Sequence, residues 1–234
     1  MSSSTPSAEA ESQRLSSLLQ AQSSAISLFS EIESTLLKPG ILESTLSQQI
    51  HSLGQERHSV RTHWHKRLVR SGPNTLAPFA DNPPDREIGS DDILVIDLGP
   101  VFADWEADFG RTYVLGSDPF KIALRDACEP VWERVKKRFD ERLDITGEEL
   151  YIIAVEEAEK DGWKWGADIA GHLVGDFPHE RIPNDKLSLY ITPGNDTKMR
   201  QKGKGGWERH WILEVHLRSP DGKIGAFFEQ LLTC

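Results

Sequence analysis

Three observations predict an α+β domain. Apolar residues recur at helical spacing through the first 53 positions, and a second, capped helix pair is written into 118–161. Between and after these helices, 93–115 and the stretch up to Leu232 consist of short apolar runs that read as strands. No internal repeat or linker interrupts 12–232, so one domain over 11–234 is the simplest organisation.

The first ten residues are small and polar and are expected to be disordered. Over about 11–37, Leu15, Leu18, Leu19, Ile26, Phe29, Ile32, Leu36 and Leu37 mark one helix face. Lys38-Pro39-Gly40 stops that helix, and a second covers about 42–53. A strand is expected over about 63–69, then a turn at Gly72-Pro73-Asn74-Thr75. The two prolines of Asn82-Pro83-Pro84-Asp85-Arg86 exclude a central strand there. Two strands joined as a hairpin follow over 93–115. Pro119 after Asp118 opens a charged helix that runs to about Leu143. Thr146-Gly147-Glu148-Glu149 is a capping box for a helix over about 147–161, which Gly162 ends. The basic, glycine-containing stretch 198–209 reads as a solvated tip before the next strand, or else as a lid.

Hydrophobic residues make up 38% of the 234, enough for a true core. The net charge of −10 argues against nucleic acid or an anionic membrane as the partner. Two cysteines, Cys128 and Cys234, make no disulfide framework and favour a reducing compartment. The start Met-Ser-Ser-Ser-Thr-Pro-Ser has neither a basic region nor an apolar run, and no apolar stretch of about 18 residues exists. The expectation is a cytoplasmic protein.

Five residues stand out: Asp97, Asp108, His172, Glu214 and Glu229, each in an apolar segment that reads as a strand or its edge. Alone, each has an ordinary explanation as a turn residue, a paired surface group or a core histidine. Together they pose a physical problem. Buried carboxylates are costly without a partner, and four around one centre repel each other. A pair of divalent cations compensates them. Oxygen-rich ligation with one imidazole suits Mn²⁺, Co²⁺, Fe²⁺ or Zn²⁺. The spacing of eleven between Asp97 and Asp108 is odd. It puts both on one sheet face only if the turn or a bulge absorbs the offset.

The combination resembles the pita-bread metallopeptidase superfamily of methionine aminopeptidase, aminopeptidase P, prolidase and creatinase. Ile96-Asp97-Leu98-Gly99, Asp108-Phe109-Gly110-Arg111-Thr112, Gly171-His172 through Gly175, Glu214 and Glu229 follow the order of its motifs, and His179 comes seven residues after His172. The resemblance implies a curved antiparallel sheet covered by helices and two divalent ions, manganese first among the candidates. It implies that Asp97 binds one ion, that Asp108 and Glu229 bridge both, and that His172 and Glu214 bind the other. A bridging hydroxide would attack a peptide carbonyl, with Glu214 shuttling its proton and His179 bonding the carbonyl oxygen. Arg111 and Thr112 would orient the ligand carboxylates.

Three features depart from the family pattern. The histidine usual some 17 to 18 residues before the first aspartate is missing from Leu76-Ala77-Pro78-Phe79-Ala80, and His63 or His65 is the candidate substitute. Glu214-Val215-His216 replaces a usual Glu-Pro-Gly, and in a strand His216 faces the same side as Glu214. The N-terminal domain of aminopeptidase P, prolidase and creatinase is not represented. The leading expectation is an Xaa-Pro aminopeptidase or dipeptidase-like hydrolase with catalytic residues His179, Glu214, His65 and His216, acting on a small peptide, with a homodimer as the candidate assembly. The alternative is metal-dependent chemistry on a small non-peptide substrate, creatinase-like or a lyase. A metal-free binding role on this fold is the third class, and retention of all five ligands argues against it. The tryptophans Trp64, Trp105, Trp163, Trp165, Trp207 and Trp211 are assigned to the core.

Overall fold

Two helix pairs lie against one antiparallel sheet in the structure, a computed structural model that describes residues 5–177 and 187–233. Helix α1 (Ala8–Thr35) begins before the expected start because the Ser7 side chain accepts a hydrogen bond from Ala10 N. Residues 8–10, expected to be disordered, therefore belong to its first turn. Leu18, Ala21, Ala25, Leu28, Phe29 and Ile32 form its buried stripe. Helix α2 (Glu43–Arg57) buries Leu46, Ile50 and Gly54.

The strand expected over 63–69 is instead two strands, β1 (Val60–His63) and β2 (Leu68–Ser71). Trp64 causes the break. Its backbone N still donates to Gly99 O beside β4 while its indole Nε1 donates to Ala107 O, and the chain leaves the β1 direction before β2 begins at Leu68. The expected hairpin over 93–115 is also more elaborate. Strands β3 (Ile93–Leu98) and β6 (Phe109–Val114) pair along their whole length. Between them, β4 (Pro100–Phe102) and β5 (Trp105–Glu106) fold out as a second small sheet, β4 pairing with β1 on one side and with β5 on the other.

Helix α3 (Pro119–Glu141) starts under an Asp118 cap that accepts from Phe120 N and Lys121 N. Helix α4 (Gly147–Lys160) has both bonds of the Thr146–Glu149 capping box. Strands β7 (Lys164–Trp165), β8 (Leu173–Val174), β9 (His210–Arg218) and β10 (Gly225–Leu231) complete the set. The main sheet runs β2-β3-β6-β10-β9-β7, and β8 adds to β9.

Strand alternation sorts this sheet into two faces. Leu94, Ile96, Leu98 and Phe109 pack under α1 and α2. Leu213, Val215, Leu217 and Phe228 pack under α3 and α4 on the same side. Arg111 lies at the seam, its guanidinium 3.8 Å from the Phe109 ring centroid and 3.7 Å from that of Phe228. The other face carries the polar residues that matter below, beside Ile212 and Leu231, which pack with Leu18 of α1. Among the described residues, no helix is long and apolar enough to cross a membrane.

Candidate metal centre

Register builds the centre. Asp97 lies opposite Gly110, Gly110 opposite Glu229, and Glu229 opposite Glu214, so one row crosses β3, β6, β10 and β9. Directly opposed residues share a face. Asp108 lies two residues before Gly110 and so faces the same way. The odd spacing of eleven needs no bulge, because every pair in the continuous β3–β6 register is itself separated by an odd number.

His172 reaches the same face from β8. Leu173 pairs with Trp211, and Ile212 N donates to His172 O, which sets His172 opposite Ile212 and one pleat from Glu214. The approach needs Gly171. Its φ is +133°, and a Cβ there would stand 2.0 Å from Ile212 O.

The five side chains meet. His172 Nε2 is 2.9 Å from Asp108 Oδ2 and 3.5 Å from Glu214 Oε1. Asp97, Asp108, Glu214 and Glu229 are all buried. Asp97 Oδ1 and Glu229 Oε2 have no hydrogen-bond partner although both are sealed from solvent. Orphaned carboxylate oxygens beside an imidazole fit divalent cations. Among the described residues, His65, Asp97 and Asp108 form one group with ligand atoms within 4.8 Å of one another, and Asp108, His172 and Glu229 form a second.

The electrostatics show what the cations would relieve. Burial pushes Asp97 up to about 7 against the pull of His65. Burial also raises Glu229 well above the carboxylate range, with Asp108, Asp97 and Glu214 adding to it. Asp108 is likewise raised by burial, but His65 and His172 outweigh this and hold it at about 2. Burial would lower both imidazoles, yet the facing carboxylates lift His65 to about 10 and His172 to about 9. Protons thus stand in for metal charge.

The other expected residues separate. His65 enters the centre, with Nε2 3.1 Å from Asp108 Oδ1 and 3.5 Å from Asp97 Oδ1. His63 does not. Its ring faces His51, and burial lowers it to about 3. His216 Nε2 is 2.8 Å from Glu214 Oε2, with its ring on Phe227. His179 lies outside the described residues. Arg111 does not orient a ligand carboxylate. It sits on the opposite face and donates to Gly110 O, Glu229 O and Gln230 Oε1, holding the strand rather than the ligand. Thr112 shares the carboxylate face by parity, but its hydroxyl is taken up by Phe227 N and O and stitches β6 to β10. Trp64, assigned above to the core, stands with its ring 5.3 Å from that of His172, and Tyr190 stands 6.4 Å away on another side. The Trp64 position follows from the small Gly99 beneath it; no signal marked Tyr190.

Comparison with known proteins decides the family. The model of metallopeptidase family M24 matches residues 16–230. This chain belongs to family M24. No curated protein sequence matches it. Dipeptidase PepE from Mycobacterium ulcerans superposes with a TM-score of 0.73 at 20% identity over 94% of this chain and 55% of its own. The X-Pro aminopeptidase of Thermotoga maritima MSB8 gives 0.73 at 20% identity, over 97% of this chain and 62% of its own. The methionine aminopeptidase of Rickettsia prowazekii gives 0.69 at 16% identity, over 94% and 96%. These likenesses show the pita-bread fold. The chain spans little more than half of the first two M24 structures. M24 is a metallopeptidase family, and the carboxylate and histidine clusters of this chain are groups that could hold metal ions.

Proposed function

We propose that this M24 member is a dinuclear metal-dependent hydrolase that removes the N-terminal residue from short Xaa-Pro peptides. The observation that supports it is the single row of Asp97, Glu229 and Glu214 across four strands, joined by Asp108 and His172, with two orphaned oxygens. Asp97, Asp108 and Glu229 would hold one ion, and Asp108, His172, Glu214 and Glu229 the other. Manganese is the first candidate, with Co²⁺, Zn²⁺ and Fe²⁺ behind it. Two such ions supply a nucleophile from water at neutral pH and polarise a carbonyl.

The chain's own groups do the rest. Glu214 takes the proton of the attacking water and passes it to the amide nitrogen as the C–N bond breaks and the new C–O bond persists in the acid product. His216, bonded to the second oxygen of Glu214, keeps that carboxylate aimed. His179 is assigned to the carbonyl oxygen, and His65 stays in the centre as a further imidazole. Because the ligands are buried in the sheet face, only chain ends of small peptides reach them. The proposed setting is the cytoplasm, as a homodimer of catalytic domains spanning 11–234, with no nucleic-acid or membrane partner.

One observation favours a second reading. Phe79 occupies the place of the family's substrate histidine and is 53% exposed. A small non-peptide substrate, in creatinase-like or lyase chemistry, fits an apolar group there. The test is a panel of di- and tripeptides with the stripped and Mn²⁺-reloaded protein. Release of the first residue from Xaa-Pro peptides supports the peptidase. No cleavage by metal-loaded protein moves the assignment to the non-peptide reading.

A further inference from the structure

We propose that His65 is a ligand of the ion held by Asp97 and Asp108, so that each of the two ions has its own imidazole. This rests on the dinuclear reading above and goes beyond it, since the family resemblance supplies only oxygens to that ion.

The first ground is a likeness between His65 and His172. Each ring sets Nδ1 on the carbonyl of the next residue, His65 on Lys66 O at 2.7 Å and His172 on Leu173 O at 2.8 Å. Each then turns Nε2 onto Asp108, His65 towards Oδ1 and His172 towards Oδ2. A main-chain carbonyl on one ring nitrogen is how a protein orients the other nitrogen onto a metal. Asp108 is thus flanked by two imidazoles, one for each oxygen.

The second ground is spacing. Donors on one ion at about 2.1 Å lie about 3 to 3.4 Å from each other when adjacent. His65 Nε2 is 3.1 Å from Asp108 Oδ1 and 3.5 Å from Asp97 Oδ1. That Asp97 oxygen is buried and has no hydrogen-bond partner.

The third ground is that the position is built. The His65 side chain is 8% exposed. It is fixed between Trp64, 4.5 Å away between ring centroids, and Phe79, 5.8 Å away. A Cβ on Gly99 would stand 2.2 Å from His65 Cδ2 and 2.4 Å from Trp64 Nε1, so the glycine of Asp97-Leu98-Gly99 is the space the ring occupies. A flexible substrate contact would not need such confinement.

An imidazole added to an oxygen-only set shifts preference towards Co²⁺ and Zn²⁺ and away from Mn²⁺. The full chain, stripped with chelator, is titrated with Co²⁺ and followed by calorimetry and by the visible absorption of the bound ion. We expect two ions per chain. In His65→Ala and His65→Asn one binding step weakens about tenfold or more and its absorption changes, while the other step stays. Free imidazole restores the absorption of His65→Ala. His172→Ala should alter the other step. Retention of both steps in both His65 variants, with unchanged affinity and spectra, overturns the proposal and leaves the dinuclear reading standing. A wild-type chain that binds no Co²⁺ overturns both.

Discussion

Glu214 and Glu229 stand directly opposite each other on β9 and β10, both buried, with no cation side chain between them in the register. Like charges in that relation destabilise a sheet. Metal ions binding only the folded chain should reverse this. At about a hundred times Kd, one ion adds about 2.7 kcal/mol. For a domain of this size that is roughly 5 to 10 °C in Tm. Melting with Mn²⁺ and with chelator measures it, and equal Tm values after verified metal loss contradict a shared site.

Asp108 lies between the two groups of ligand atoms and belongs to both. Asp108→Ala should therefore empty at least one metal position and abolish turnover. His179→Ala should keep both metals and lose turnover. Elemental analysis of the two variants separates the roles, and stoichiometric metal loss from His179→Ala would show that it is a ligand.

Asp97 should contribute a loss of stability to the metal-free protein as pH rises. Asp97 holds its proton to about 7, above the ordinary carboxylate value near 4. Between those values the folded state binds more protons than the unfolded one, so unfolding free energy falls with increasing pH. His65, raised to about 10, adds stability that is complete below about 6.5 and fades only as pH climbs through 10. His63, held neutral down to about 3, acts in the opposite sense below 6.5, so the Asp97 contribution is read as a difference. The unfolding free energy of the chelated wild type minus that of Asp97→Asn, followed in urea from pH 4 to 7, should fall as pH rises. A difference that rises with pH would remove the buried-carboxylate account.

Arg111 is expected to matter for folding and not for metal. Arg111→Ala strands the Glu229 and Gly110 carbonyls and the Gln230 amide oxygen, and opens a gap between Phe109 and Phe228. The cost should be about 2 to 4 kcal/mol. Metal stoichiometry at low temperature should stay unchanged. Selective metal loss without destabilisation would return Arg111 to the ligand side.

Most of this centre is legible in the sequence because strand parity is local. Asp97, Glu214 and Glu229 each alternate with the apolar residues that bury the far face, and the odd spacings match the registers of β3 with β6 and of β9 with β10. Parity also misled. It separates Arg111 from Asp108, three residues apart, onto opposite faces, whereas adjacency in a motif suggested that Arg111 serves the carboxylates. The break at Trp64 was not legible at all, since 60–71 is strand-like throughout. It depends on two hydrogen bonds, to Gly99 and Ala107, from parts of the chain more than thirty residues away. That break is what delivers His65 to Asp108.

Asp97, Asp108, His172, Glu214 and Glu229 together are proposed to hold two ions. Elemental analysis of the purified full chain, stripped and reloaded with Mn²⁺ or Co²⁺, measures it most directly. Two ions per chain are expected in the wild type and at most one in Glu214→Ala and in His172→Ala. Wild-type protein that retains no ion, or binds ions equally well without Glu214 and His172, would contradict it.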